Sequence, residues 1–247
     1  MKTLLDSKAV LPVETVDCPF FGSICEEFDG FIPLRTRRAR TLMKKTDENK
    51  ATGPDNIPAV IIKELADVLA FPFTKICRRL LAEGCWPRHW RLHRICPLYK
   101  RNSAFQAKNY RGVHLTTIFS KLAEKLIGER LAKFLQAGKF GYDQWAFTPG
   151  LSSRDLITSL VMSWILAICS GNKVSAFLGD ITGAFDRVFK DYLMAKLHCA
   201  GVGSIYMNFL DAYLQPRQAE VVIEGVTSDK FTIQNTVLQG TVLGSML

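Results

Sequence analysis

The sequence lacks most of the marks that place a chain in a specialised class. Its longest apolar run, Leu156 to Cys169, is interrupted by Thr158, Ser159 and Ser163 and falls short of the roughly 20 residues a membrane span needs. No CxxC pair occurs and the cysteines number seven, which excludes a fully paired disulfide framework and a zinc ribbon. Asp6 and Lys8 fall inside what would be the apolar core of a signal peptide. Cys85, His89, His93 and Cys96 recur at three- or four-residue steps. On a helix the first and last would stand about 16 Å apart, too far to share one zinc ion. Internal repeats and low-complexity tracts are also absent. These absences predict a soluble, intracellular chain in a reducing compartment, with nucleus and cytoplasm both open and no membrane partner.

What is present is a globular composition, 48% hydrophobic and 22% charged over 247 residues, enough to bury a sizeable core. Its charge is uneven. Residues 31–111 hold 18 Lys/Arg against 6 Asp/Glu, and the remainder 14 against 17. A basic front half beside a mildly acidic back half fits a polyanion laid across one side of the molecule, or else a solvated basic face with no ligand.

Periodicity outlines the elements. A basic helix is expected over Arg35–Lys45, a turn over "KATGPDNIP", and a helical stretch over Ala59–Leu81 broken at Pro72. "RICPLYK" (Arg94–Lys100) reads as a strand followed by a polar loop to Asn109. Phe119–Ala137 repeats apolar residues at i, i+3, i+4 and i+7, with Gly138 placed to cap it. The pattern further predicts a buried helix over Asp155–Cys169 and a strand over Lys173–Asp180. Helices near Asp191–Ala200 and Ser204–Leu214 follow, then a hairpin around Gly225. The whole is an α+β arrangement, with helices on one side of a sheet.

Six landmarks stand in order: "GPDNIP", "ICPLYK", "NYRGVHLTTIFSKLAEKLIGERL", "DQWAFTPGLSSRDLI", "FLGDITGAFDRV" and "VLQGTVLG". This succession, over about residues 35–247, resembles the reverse transcriptase domain of non-LTR (LINE-like) retrotransposons. The resemblance implies a right-hand polymerase fold, with a lead-in over 1–34, fingers over 35–142, a partial palm over 143–247 and no thumb. It implies RNA-directed DNA synthesis from deoxynucleoside triphosphates, an RNA template, a DNA primer and two Mg²⁺ ions. Asp180 matches the first catalytic, metal-binding aspartate and the Ile181 carbonyl a second metal contact. Lys100 and Arg111 match triphosphate-facing cations. Phe185 matches the aromatic under the incoming sugar, with a core phenylalanine as the alternative. Gln239 and Gly240 match the "QG" beside nucleotide and template. Asp186 reads as a turn cap.

Arg35, Arg37, Arg38, Arg40, Arg78, Arg79, Arg88, Arg91 and Arg94 are candidate nucleic-acid phosphate contacts, and Trp86 and Trp90 either stack on bases or pack in the core. The family's aromatic-x-Asp-Asp hairpin has no counterpart, because no Asp-Asp pair occurs in the 247 residues. The expectation is therefore a chain inactive by itself. Its rival is a non-catalytic RNA-binding remnant of a decayed element.

Overall fold

The computed structural model describes residues 33–136, 144–181, 184–234, 237–238 and 240–247. The expectations for residues 1–32, for Gly138 and for Gln239 lie outside them, as does any statement on the Asp186 side chain.

Helix α1, Thr36–Lys44, turns its arginines outward and buries Ala39 and Met43, four residues apart on one face. The turn after it brings Gly53 so close to the next layer that a Cβ there would sit 2.6 Å from the Thr117 Cα. Only glycine permits that backbone-to-backbone approach. Two helices follow, α2 (Ala59–Glu64) and α3 (Ala66–Glu83). The break falls at Leu65, between them, and Pro72 lies inside α3, contrary to the expected interruption at the proline. Pro72 is exposed while Phe73, Thr74 and Cys77 beyond it are buried, so core packing holds the helix together across one missing hydrogen bond.

Strand β1 (Leu92–Tyr99) pairs antiparallel with β2 (Tyr110–Leu115) and parallel with β3 (Arg217–Ile223). β3 also pairs antiparallel with β4 (Val226–Thr227) and β5 (Phe231–Ile233), giving a mixed five-stranded sheet. Strand β2 escaped the sequence reading because "YRGVHL" carries a glycine and no clear alternation. The expected strand at 94–100 and the hairpin around Gly225 form as β1 and β3–β5.

Helix α4 (Ile118–Gln136) buries Leu122, Ala123, Leu126, Ile127, Leu131 and Leu135, the stripe its periodicity predicts. Helices α6 (Lys190–Cys199) and α7 (Ser204–Tyr213) close the core with Tyr206, Phe209 and Tyr213. Trp86 is buried edge-on against Trp90, Phe209 and Tyr213. Trp86 is thus a core residue, and Trp90 packs half-buried against the same core.

Helix α5, Ser153–Cys169, starts with a capping box in which Ser152 and Asp155 exchange hydrogen bonds. It has no buried residue, contrary to the expected burial. The Lys173–Asp180 run beside it in sequence is not a strand: it joins no ladder, and Phe177 and Leu178 are 95% and 93% exposed. The two departures share one cause. An apolar run becomes a sheet strand only when a neighbouring strand accepts its hydrogen bonds; among the described residues no strand lies beside this one, so α5 has no sheet to cover.

Polar groups tie the layers together. The buried guanidinium of Arg217, at the start of β3, reaches His93 Nε2 on β1 at 3.0 Å. It also donates to the Tyr213 carbonyl at the end of α7 at 2.7 Å. Arginine can only donate, so His93 accepts at Nε2 and its ring is neutral. Burial first, then the Arg217 charge, holds the His93 pKa well below the ordinary histidine value.

Two outcomes follow. Pro72→Ala restores the missing backbone donor and stabilises the fold by on the order of 1–3 kcal/mol, read by denaturant unfolding. Because the unfolded chain takes a proton on His93 that the fold refuses, stability is complete above about pH 6.5 and falls as pH drops below it, at up to about 1.4 kcal/mol per pH unit. His93→Gln flattens that part of a stability–pH profile, whatever it costs at neutral pH.

Candidate functional site

The β1–β2 hairpin carries the first pair of predicted site residues. Leu98 faces Arg111 across the ladder, and the Lys100 N–H donates to the Asn109 carbonyl at 2.9 Å, extending the register past the strand ends. Lys100, two residues beyond Leu98, therefore shares a face with Arg111 as its diagonal neighbour. The connecting loop is braced internally. The Asn109 side chain donates to the Ser103 carbonyl at 2.6 Å, Tyr110 Oη donates to the Ala104 carbonyl at 2.9 Å, and the Tyr99 and Tyr110 rings meet edge-on. Both cations are exposed and neither forms an ion pair among the described residues. A rigid hairpin thus presents two uncompensated positive charges side by side.

Gly240 comes to the same hairpin from the far end of the sequence. Its φ of 99° is one that side chains disfavour, and a Cβ there would lie 3.2 Å from the His114 carbonyl oxygen of β2. The segment after it is fastened by Glu124 of α4. This fully buried carboxylate accepts the Val242 and Leu243 N–H groups at 2.7 and 3.1 Å and the Ser120 hydroxyl at 3.1 Å. "GTVLG" is thereby held against "NYRGVHL" and "KLAEKLIGERL", both more than a hundred residues earlier in the sequence. A cavity of about 660 Å³ opens beside them, lined by Lys125, Glu129, Phe147, Thr148, Leu243 and Met246 among others. It draws "AFTPG" into the same neighbourhood.

Asp180 and Ile181 lie in the extended segment after α5, both exposed, and no hydrogen bond or ion pair joins Asp180 to another described residue. Phe185, in a short 3₁₀ turn over Phe185–Arg187, is half-buried against the main core. Among the described residues no three His, Cys, Asp or Glu side chains gather as a metal site. Asp211 is engaged by Lys190, and Glu220 by Arg94.

The nine arginines divide. Arg38 holds Glu129 with two 2.9 Å bonds, Arg40 holds Asp67, Arg79 holds Glu83, and Arg94 holds Glu220 and Asn56. Arg78 donates twice to the Leu34 carbonyl, and Arg91 reaches the Ala212 carbonyl. These six are engaged within the protein, while Arg35, Arg37 and Arg88 are exposed with no such partner among the described residues. Sequence reading missed Glu124, whose acid in an otherwise apolar stripe was the available signal, and the lysines of α4, taken up below.

The sequence is similar to known proteins over most of its length. It is 26% identical over 217 residues to the probable RNA-directed DNA polymerase from transposon BS of Drosophila melanogaster, covering 87% of this chain and 24% of that protein. It is 28% identical over 232 residues to the RNA-directed DNA polymerase from mobile element jockey of the same organism, covering 89% and 24%. It is 24% identical over 242 residues to the transposon TX1 uncharacterized 149 kDa protein of Xenopus laevis, covering 93% and 18%. The chain therefore spans about a quarter or less of the length of these relatives. No family model matches the sequence. Ordered landmarks and these likenesses agree: over most of its length the chain is similar to RNA-directed DNA polymerases of transposable elements.

Proposed function

We propose that the chain supplies the fingers, over residues 35–142, and part of the palm, over 143–247, of a right-hand RNA-directed DNA polymerase. In this reading an RNA template and a DNA primer lie along the basic face, and the hairpin cations take the triphosphate of an incoming deoxynucleotide. The observation that carries it is that Lys100 and Arg111 share one face of the β1–β2 hairpin while the Gly240 turn packs on His114 of the same strand β2. Arg111 offers a planar fork to phosphate oxygens and Lys100 a point charge. Phe185 is the reading's gate against a 2′-hydroxyl, and Gln239 and Gly240 border nucleotide and template.

Asp180 is the carboxylate assigned to Mg²⁺, with the Ile181 carbonyl beside it. A two-metal site needs further carboxylates, and the described residues bring none to Asp180. The donor set does not fit a metal pair, so no catalytic step is derived through one. The lone carboxylate favours, as the second reading, a chain that binds RNA without polymerising.

Equilibrium binding separates the two readings. Under the polymerase reading the 247-residue chain binds deoxynucleoside triphosphate, and Lys100→Ala and Arg111→Ala each weaken it about tenfold, the loss of one charge-assisted contact. RNA held tightly with no measurable triphosphate affinity selects the second reading. Primer extension by this chain alone stays at background in either case; robust Mg²⁺-dependent synthesis would show that the donor set has been misjudged.

A further inference from the structure

A second cavity, of about 170 Å³, lies between the end of α1, the segment at Lys50 and Ala51, and the first turns of α4. Lys45, Lys50, Lys121 and Lys125 line it, over an apolar wall that includes Leu42, Ile118 and Leu122. Lys121 and Lys125 stand four residues apart, on one side of α4. No ion pair engages any of these four lysines among the described residues. The nearby acids are committed elsewhere: Glu48 to Lys63, Asp47 to the Asn49 N–H, and Glu124 to the Val242 and Leu243 N–H groups. Ammonium groups gathered beside apolar side chains with no ion-pair partner repel one another and lose part of their hydration. Lys121 and Lys125 show that strain: burial chiefly, and then the Lys50 charge, hold both below the ordinary lysine range, with Glu124 only partly opposing this at Lys121. An anion in the cavity would relieve both penalties.

We infer that this lysine cavity is a binding site for a backbone phosphate of single-stranded RNA. Two observations choose a strand over a free anion. Leu42 and Lys125 line both this cavity and the 660 Å³ one, so a chain of phosphates can continue from one into the other along α4. All four cations are lysines, point charges that neutralise a phosphate without the planar fork that reads a base edge. The site therefore fixes the path of a strand and not its sequence. It rests on the reading that the chain binds RNA, and it adds a contact distinct from the nine arginines and from the triphosphate cations.

The test is fluorescence anisotropy of a single-stranded RNA oligonucleotide with the 247-residue chain across a potassium chloride series. The comparison is the triple variant Lys50→Gln, Lys121→Gln, Lys125→Gln. Each lost phosphate contact lowers the slope of log affinity against log salt by about 0.7, and lowers affinity about fivefold at roughly 0.1 M salt. Because the substitutions remove repulsion, the variant should melt at the same or a higher temperature, which separates lost binding from lost folding. On the wild type, RNA should also shield Lys121 and Lys125 from amine acylation, a readout that does not depend on the variant. If the wild type binds RNA but slope and shielding do not respond, this site is wrong while the RNA-binding reading stands. If the variant instead loses only free deoxynucleoside triphosphate, the cavity belongs to the nucleotide and the inference is overturned. Failure of the wild type to bind RNA at all removes the reading and the site together.

Discussion

The buried Arg217 guanidinium sets the geometry on which the rest of the molecule depends. It stands where β3 begins, holds the last carbonyl of α7, lies 4.3 Å from the Tyr213 ring centre and meets His93 on the neighbouring strand. A cation at a helix C-terminus gains from the helix dipole and from the unpaired carbonyls there. One side chain thus fixes the angle between the helical layer and the sheet, together with the β1–β3 register that begins at Leu92 and Gln218. The cost is one-sided. A buried guanidinium whose partners are lost costs several kcal/mol, far more than the bonds contribute net, so sheet and helices stay docked or come apart together. His93 is the weak point of this arrangement, since it accepts the arginine only while neutral.

Glu124 is the negative counterpart, in the helical layer. It forms no ion pair among the described residues, although its charge is felt at Lys121. That charge is spread over two backbone N–H groups and a hydroxyl, the pattern by which carboxylates bind orphan donors at the start of a helical turn. By capping the turn after Gly240 it keeps "GTVLG" against α4, and so keeps the Gly240 approach to β2 within a fraction of an ångström. The Gly240 turn and the larger cavity, which Glu124 itself lines, are kept together by this buried carboxylate.

Much of this was legible in the sequence, for reasons that differ by element. The α4 stripe was read because Leu122, Leu126 and Ile127 repeat with the helical period, and β3–β5 because Gly225 sits between two β-rich runs. Pro72 misled because its local cost, though real, is outweighed by the burial of Phe73 and Cys77 just beyond it. Lys173–Asp180 misled for the opposite reason. Its composition favours a strand, but strand formation is decided by a partner, and a partner is not a property of the segment. Arg38, Arg78 and Arg94 read as phosphate contacts because their charge is visible in the sequence, whereas Glu129, the Leu34 carbonyl and Glu220, which hold them, are distant in it.

That last distinction separates the two kinds of positive charge in the molecule. An arginine paired with a carboxylate or carbonyl contributes to the fold and has little left to offer a polyanion. The charges free to meet a polyanion are those without ion-pair partners among the described residues, which include Arg35, Arg37 and Arg88, Lys100 and Arg111 on their hairpin, and Lys45, Lys50, Lys121 and Lys125 around their cavity. Uncompensated like charge is destabilising, most of all where apolar walls lower the local dielectric, and the penalty at the cavity shows as the depressed lysines of α4. A chain that spends its carboxylates on Arg38, Arg40, Arg79 and Arg94 and leaves these lysines bare is arranged to gain free energy when a phosphate arrives. The net charge of +9 says only that an anion is attracted; in the proposed reading the unpaired subset is where a phosphate is held.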